Sequence, residues 1–247
     1  MEFRAGQALG KTFSIFGSNI LSLLILGAIF KGPFVIPGVQ EWQLQNQFVG
    51  TVANLFTTLL LQATVVYIVF QQLRGDHAGI GKALGVGFSR IFPVLGTVLL
   101  FALCIFACVL PGFIMGFATR SPILSAIAII IPALLVFMMF YVAVPVAVVE
   151  RPGVMNSLKR SQELTEGNRW GIFGIFLVTM CLGWVISYLL VRSLMNGGIG
   201  VSSYLVATGV VSIFFSLLYV VGAAVIYHDL RLEKDGVSVD ELASVFE

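Results

Sequence analysis

Two histidines, His77 and His228, each stand beside an aspartate, Asp76 and Asp229, and are the first place to look for chemistry. Imidazoles and carboxylates together can bind a metal ion. On a helix, however, adjacent side chains point in different directions, and side chains that converge stand three or four residues apart. Neither His–Asp pair has that spacing, and both close apolar runs, where polar residues are expected at a membrane boundary. No Gly-x-Ser-x-Gly nucleophile elbow occurs. Cys104, Cys108 and Cys181 all fall inside apolar runs and read as small buried hydrophobes, not as disulfides or a metal set. The residue types predict no catalytic centre, no metal and no cofactor.

Two further polar groupings invite a functional reading. The first collects charge: Glu150-Arg151-Pro152-Gly153, then Lys159-Arg160-Ser161 and Arg169, and finally Asp229-Leu230-Arg231. Glu150 and Asp229 both end apolar runs, at a depth close to that of Arg160 and Arg231. Ion pairs at that level would dock a short helix onto a bundle. Alternatively, Lys159, Arg160 and Arg231 would hold anionic lipid headgroups. The second grouping is Asn54, Thr58 and Gln62, spaced four apart and therefore on one helix face. Hydrogen bonding between helices is the simpler role for them; lining a solute path is the other. No apolar run carries a charge near its centre, the usual mark of ion coupling.

The elements that must position these groups follow from composition. Hydrophobic residues make up 58% of the 247-residue chain and charged residues 11%, with a mean hydropathy of +1.01. A soluble surface cannot be covered with so few charges when about 25% is typical, so the solvent for most of the chain is lipid. Backbone amides in hydrocarbon find no water, so a spanning segment is a helix or part of a closed barrel. The runs are apolar on every side, which excludes the alternation of a barrel strand. The expected fold is all-α: a polytopic membrane protein with six transmembrane helices at 19–36, 48–71, 91–117, 122–149, 171–194 and 203–228. The first run follows the long charged lead of Glu2, Arg4 and Lys11 and has no small-x-small cleavage site, so it reads as a retained span. Lys31 interrupts it and is expected to snorkel to the interface. Gly112-Phe113-Ile114-Met115-Gly116 has small-xxx-small spacing, suited to close helix contact.

Six spans return both ends to one side. Eleven of the fourteen lysines and arginines lie on the side of the termini, and only Lys31, Arg120 and Arg192 lie on the other. The excess predicts that both termini are cytoplasmic. The chain also repeats itself. Gly6-Gln7-Ala8-Leu9-Gly10 returns as Gly81-Lys82-Ala83-Leu84-Gly85 and, more weakly, as Met155-Asn156-Ser157-Leu158-Lys159, with the leucines 75 and 74 residues apart. Pro37-Gly38 returns as Pro111-Gly112, 74 residues later. Within one integral membrane domain over 1–247, each unit reads as an amphipathic helix followed by two spans, with units at about 1–75, 76–151 and 152–231 and a short tail at 232–247. The three amphipathic helices, with Leu9, Phe13 and Phe16 on the apolar face of the first, are expected to lie in the interface near anionic headgroups.

One stretch is familiar as a whole. Val144-Pro145-Val146, Glu150-Arg151-Pro152-Gly153, Ser157-Leu158-Lys159-Arg160-Ser161 and Leu164-Thr165-Glu166-Gly167-Asn168-Arg169-Trp170 are closed by Tyr227-His228-Asp229-Leu230-Arg231. This pattern resembles the membrane domain found beside some bacterial glycerophosphodiester phosphodiesterases and its stand-alone membrane relatives. The resemblance covers most of the chain, with its motif concentrated in the last 110 residues. In fused relatives the hydrolase chemistry sits in a separate soluble domain, and no counterpart of it lies in this sequence, so no activity is carried over. What the resemblance implies is a prokaryotic plasma (inner) membrane protein.

The sequence thus predicts a non-enzymatic membrane protein that organises lipids with anionic headgroups, or a protein partner, through a basic cytoplasmic belt. Nucleic acid is not an expected partner. The alternative is a transporter or permease for a small or amphiphilic solute. A continuous polar cavity reaching Gln62 would favour that alternative, and a solidly packed bundle would remove it.

Overall fold

The computed structural model describes residues 3–73, 75, 79–196 and 200–236, and every regular element among them is a helix. In chain order, α1 (Ala5–Ser18) and α2 (Ile20–Lys31) lead into a 3-10 turn (Gly32–Val35), then α3 (Pro37–Gln45) and α4 (Gln47–Leu73). A short α5 (Ile80–Ser89) precedes α6 (Ile91–Thr119), α7 (Pro122–Met139) and α8 (Ala143–Val149). After α9 (Val154–Thr165) come the long α10 (Arg169–Asn196) and α11 (Val201–Asp235).

Five of these segments are long and apolar enough to cross a membrane: α4, α6, α7 with α8, α10 and α11. A sixth exists if α1 and α2 form one span, which is bent by 78° at Asn19. The bend has a local cause. The Asn19 side chain donates back to the carbonyl of Ile15 at 3.0 Å, competing for the acceptor that continues a helix.

Burial sorts the helices into an inner pair and an outer ring. Over their most apolar stretches α4 and α11 are 56% and 50% buried, whereas α6, α7–α8 and α10 are each 6% buried. Phe92, Leu103, Phe117, Ile130 and Trp184 on the outer helices are all more than half exposed. Such an apolar surface is stable only against hydrocarbon. Within the ring, α6 packs tightly on α7: a Cβ at Gly112 would collide with Ile129, and the Ser125 hydroxyl donates to the Gly112 carbonyl at 3.0 Å. The glycine spacing in α6 thus sits at a helix contact.

The most consequential local feature is the break between α7 and α8. Pro145 has no N–H to offer the carbonyl of Tyr141, four residues earlier, and its ring crowds that carbonyl. The helix is interrupted over 140–142, and the amide of Ala143 bonds to Phe140 at 3.0 Å in place of Met139. The Met139 carbonyl instead accepts from two side chains of α9, Ser161 Oγ at 3.0 Å and Thr165 Oγ1 at 3.2 Å. Buried carbonyls must find donors, so the break is also where α9 is fastened.

The Lys31 ammonium donates to Asn54 and Thr58 on α4, at the end of α2. After the first run Pro37 starts α3, a short helix with Trp42 and Leu44 exposed. One sequence boundary is extended. The last helix runs on from His228 to Asp235, held by an Arg231–Asp235 pair one turn apart at 3.6 Å and ended by Gly236 at φ 65°. The pair His77–Asp76 and the tail from 237 lie outside the described residues.

Candidate functional site: an aromatic cavity beneath a polar cleft

Gln62 sits on α4 at the level of the α7–α8 break. With the aromatic rings of that break and of α6 and α11 it encloses a cavity of about 180 Å³. Phe101 comes from α6, Phe137 from α7, Phe140 and Tyr141 from the break, and Tyr219 from α11. The rings brace one another edge to face: Tyr141 lies 5.5 Å from Tyr219, Phe137 5.6 Å from Tyr141 and Phe101 6.1 Å from Phe140. Broken helices in membrane proteins are tolerated where the irregular backbone lines a cavity, and that is the arrangement here.

The lining has few polar atoms, and one of them stands out. Gln62 Oε1 is buried with no hydrogen-bond partner. An unsatisfied amide oxygen costs roughly 1–3 kcal/mol, so a helix under selection for packing alone would carry leucine there. Thr97 is satisfied within its own helix, donating to the Pro93 carbonyl at 2.9 Å. Apart from its tyrosines, the lining carries no ionisable side chain.

A second, larger hollow of about 770 Å³ opens at the α3 end of α4. Gln40 and Gln43 of α3 face Gln47, Thr51 and Asn54 of α4 across it. Leu55 and Thr58 line both this cleft and the aromatic cavity, so the two meet at one turn of α4. Lys31 reaches the same turn from α2. Its Nζ donates to Asn54 Oδ1 at 2.6 Å and to Thr58 Oγ1, and it lies 5.9 Å from the Phe34 ring. Asn54, Thr58 and Gln62 therefore form one polar column along α4, from the open cleft to the aromatic cavity.

Toward the termini the chamber is sealed. Val66, Tyr67 and Phe70 on α4, Val146 on α8 and Tyr227 on α11 are all nearly inaccessible. Gln71 donates to the Tyr67 hydroxyl at 2.8 Å, and Phe70 meets Tyr227 edge to face at 5.6 Å.

Beyond this plug lies the charged cluster. Glu150 accepts from the Tyr227 hydroxyl at 2.7 Å and from Arg160 Nε at 3.3 Å, and Arg231 approaches it at 3.6 Å. Asp235 completes the set by pairing with both Arg160 and Arg231. Burial works against the Arg160 charge, but Glu150 and Asp235 outweigh it and hold the guanidinium above its ordinary pKa. Asp229 belongs to a separate pair. It accepts from Lys11 of α1 at 2.8 Å and lies 3.2 Å from His228 Nδ1. The two groups fasten α9 and α1 to the end of α11.

Comparison with known family models, curated proteins and solved structures yields no match. The site has to be read from its own geometry.

Of the charged residues singled out in the sequence, Glu150, Arg160 and Arg231 come together, Asp229 stands apart with Lys11, and Lys159 is exposed with no ion pair among the described residues. Sequence reasoning missed the contributions of Asp235 and Lys11 to these clusters. It also missed Tyr141, Tyr219 and the break that brings the aromatic rings together. The available signal was Pro145 inside an otherwise uninterrupted apolar run.

Proposed function

We propose that this chain is a multi-pass protein of a prokaryotic plasma membrane that takes up a small amphiphilic solute within its helix bundle, a permease-like role without catalysis. The observation that carries this reading is the unpartnered Gln62 amide oxygen in an aromatic chamber that shares Leu55 and Thr58 with an open polar cleft. Small-molecule sites are mostly apolar hollows with a few placed polar groups. The chamber lining offers no histidine, cysteine or carboxylate beside a hydroxyl, which supports a binding role over a hydrolytic one.

The same reading has six spans, with both termini in the cytoplasm and the cleft facing outward. It divides the chain into three units, each opened by one of α1, α5 and α9 and continued by two apolar segments, α2 and α4, α6 and α7–α8, and α10 and α11. The order of the helices and the spacing of Leu9, Leu84 and Leu158 support that division. A second reading, in which the chain organises anionic lipid or a protein partner, is supported by Lys82, Arg151 and Lys159, which are exposed.

Thiol labelling tests the permease reading. Cys104, Cys108 and Cys181 are replaced by serine and Thr58→Cys is introduced. A membrane-impermeant maleimide added to intact cells is expected to label Thr58→Cys. Labelling only after the membrane is opened, or only from the cytoplasmic side, would overturn the outward-facing path.

A further inference from the structure

The ammonium of Lys31 has hydrogen-bond acceptors but no counter-charge. Among the described residues no carboxylate pairs with it, and its partners Asn54 and Thr58 are neutral. The side chain is half-buried beside the junction of cleft and chamber. A cation half withdrawn from water without an anion is costly, and an anion arriving there would offset that cost. Every other acid–base cluster described above is internally paired, Glu150 with Arg160 and Arg231, and Asp229 with Lys11. Lys31 has only neutral partners, and one of them, Thr58, lines both the cleft and the aromatic cavity.

Resting on the solute-binding reading above, we propose that the ligand is a small amphiphilic anion, its carboxylate or phosphate-like head at Lys31 and its apolar ring in the chamber around Gln62. Four residues of helix, a rise of about 6 Å, separate Thr58 from Gln62. That is the reach of a short linker between an anionic head and a single ring. Phe101, Phe140 and Tyr219 supply faces and edges for the ring, and an ammonium prefers a charged acceptor to a neutral one by a large margin. A cationic amphiphile would meet Lys31 with like charge and is disfavoured.

The test uses the full chain in nanodiscs with two probes, phenylpropanoate and its neutral isostere phenylpropanamide, titrated by calorimetry. Saturable binding of the acid is expected, at least about tenfold tighter than the amide. Lys31→Gln is expected to bring the acid down to the affinity of the amide, and Lys31→Arg to keep the preference. Ala223→Phe, which fills the chamber from α11, is expected to abolish binding of both. Equal binding of acid and amide, or a preference that survives Lys31→Gln, overturns the anion assignment. If both probes still lose binding in Ala223→Phe, the chamber stands as a binding site without it. Absence of binding by either probe, or binding indifferent to Ala223→Phe, overturns the chamber reading as well. Size-exclusion profiles of the variants separate lost binding from lost folding.

Discussion

A buried amide oxygen with no partner is a stability cost that function has to justify, and Gln62 is where this protein carries it. Replacing it by a similarly sized apolar residue removes the unsatisfied group and leaves the aromatic walls filled. Gln62→Leu is therefore expected to raise apparent stability in detergent by about 1 kcal/mol, a shift of roughly 2–4 °C in melting temperature for a chain of this size. A lower melting temperature would show instead that the amide ties helices together. Glu150 is the opposite case. Its oxygens are surrounded by Tyr227, Arg160 and Arg231, so its charge is compensated and its role is to hold α9 and α11 in register. The polar column was legible in the sequence, because four-residue spacing fixes Asn54, Thr58 and Gln62 to one face whatever the helix packs against. The partners of Lys31 were not. Asn54 and Thr58 reach it across a helix contact, and the local sequence does not contain that neighbour.

At the scale of elements, the break at Pro145 does two things at once. It turns Tyr141 and Phe140 into the chamber, and it releases the Met139 carbonyl to Ser161 and Thr165 of α9. Two hydroxyls share one acceptor, so either can serve when the other is lost. Ser161→Ala and Thr165→Val are each expected to lower stability by less than about 1 kcal/mol, and the double variant by about 2 kcal/mol or more, because only then is a buried carbonyl left without a donor. Strictly additive effects in a double-mutant cycle would refute this shared-acceptor account. The long helices α4, α6, α10 and α11 were legible from runs of apolar length alone, since a span needs only continuous hydrophobicity. The end of α11 was not, because Arg231 and Asp235 continue the helix through an ion pair that also depends on α9. The packing of α9 escaped for the same reason. Its polar residues look like a solvated face in sequence, yet Ser157, Ser161 and Thr165 are buried against other helices.

At the scale of the molecule, the account rests on a division of labour. The outer helices α6, α7 and α10 present apolar side chains outward, while α4 and α11 form an interior that is not solid. On the proposed reading, water and solute reach down α4 on one side, even though hydrocarbon surrounds the ring. This division can be measured with nitroxide labels in a lipid bilayer, at Leu103 on α6 and at Leu55 between cleft and chamber. Collisions with oxygen report hydrocarbon, and collisions with a water-soluble nickel chelate report water. The account predicts that the label at Leu103 meets oxygen and is shielded from the chelate, while the label at Leu55 meets the chelate. A chelate that reaches Leu103 as readily as Leu55, or one that reaches neither, would contradict it.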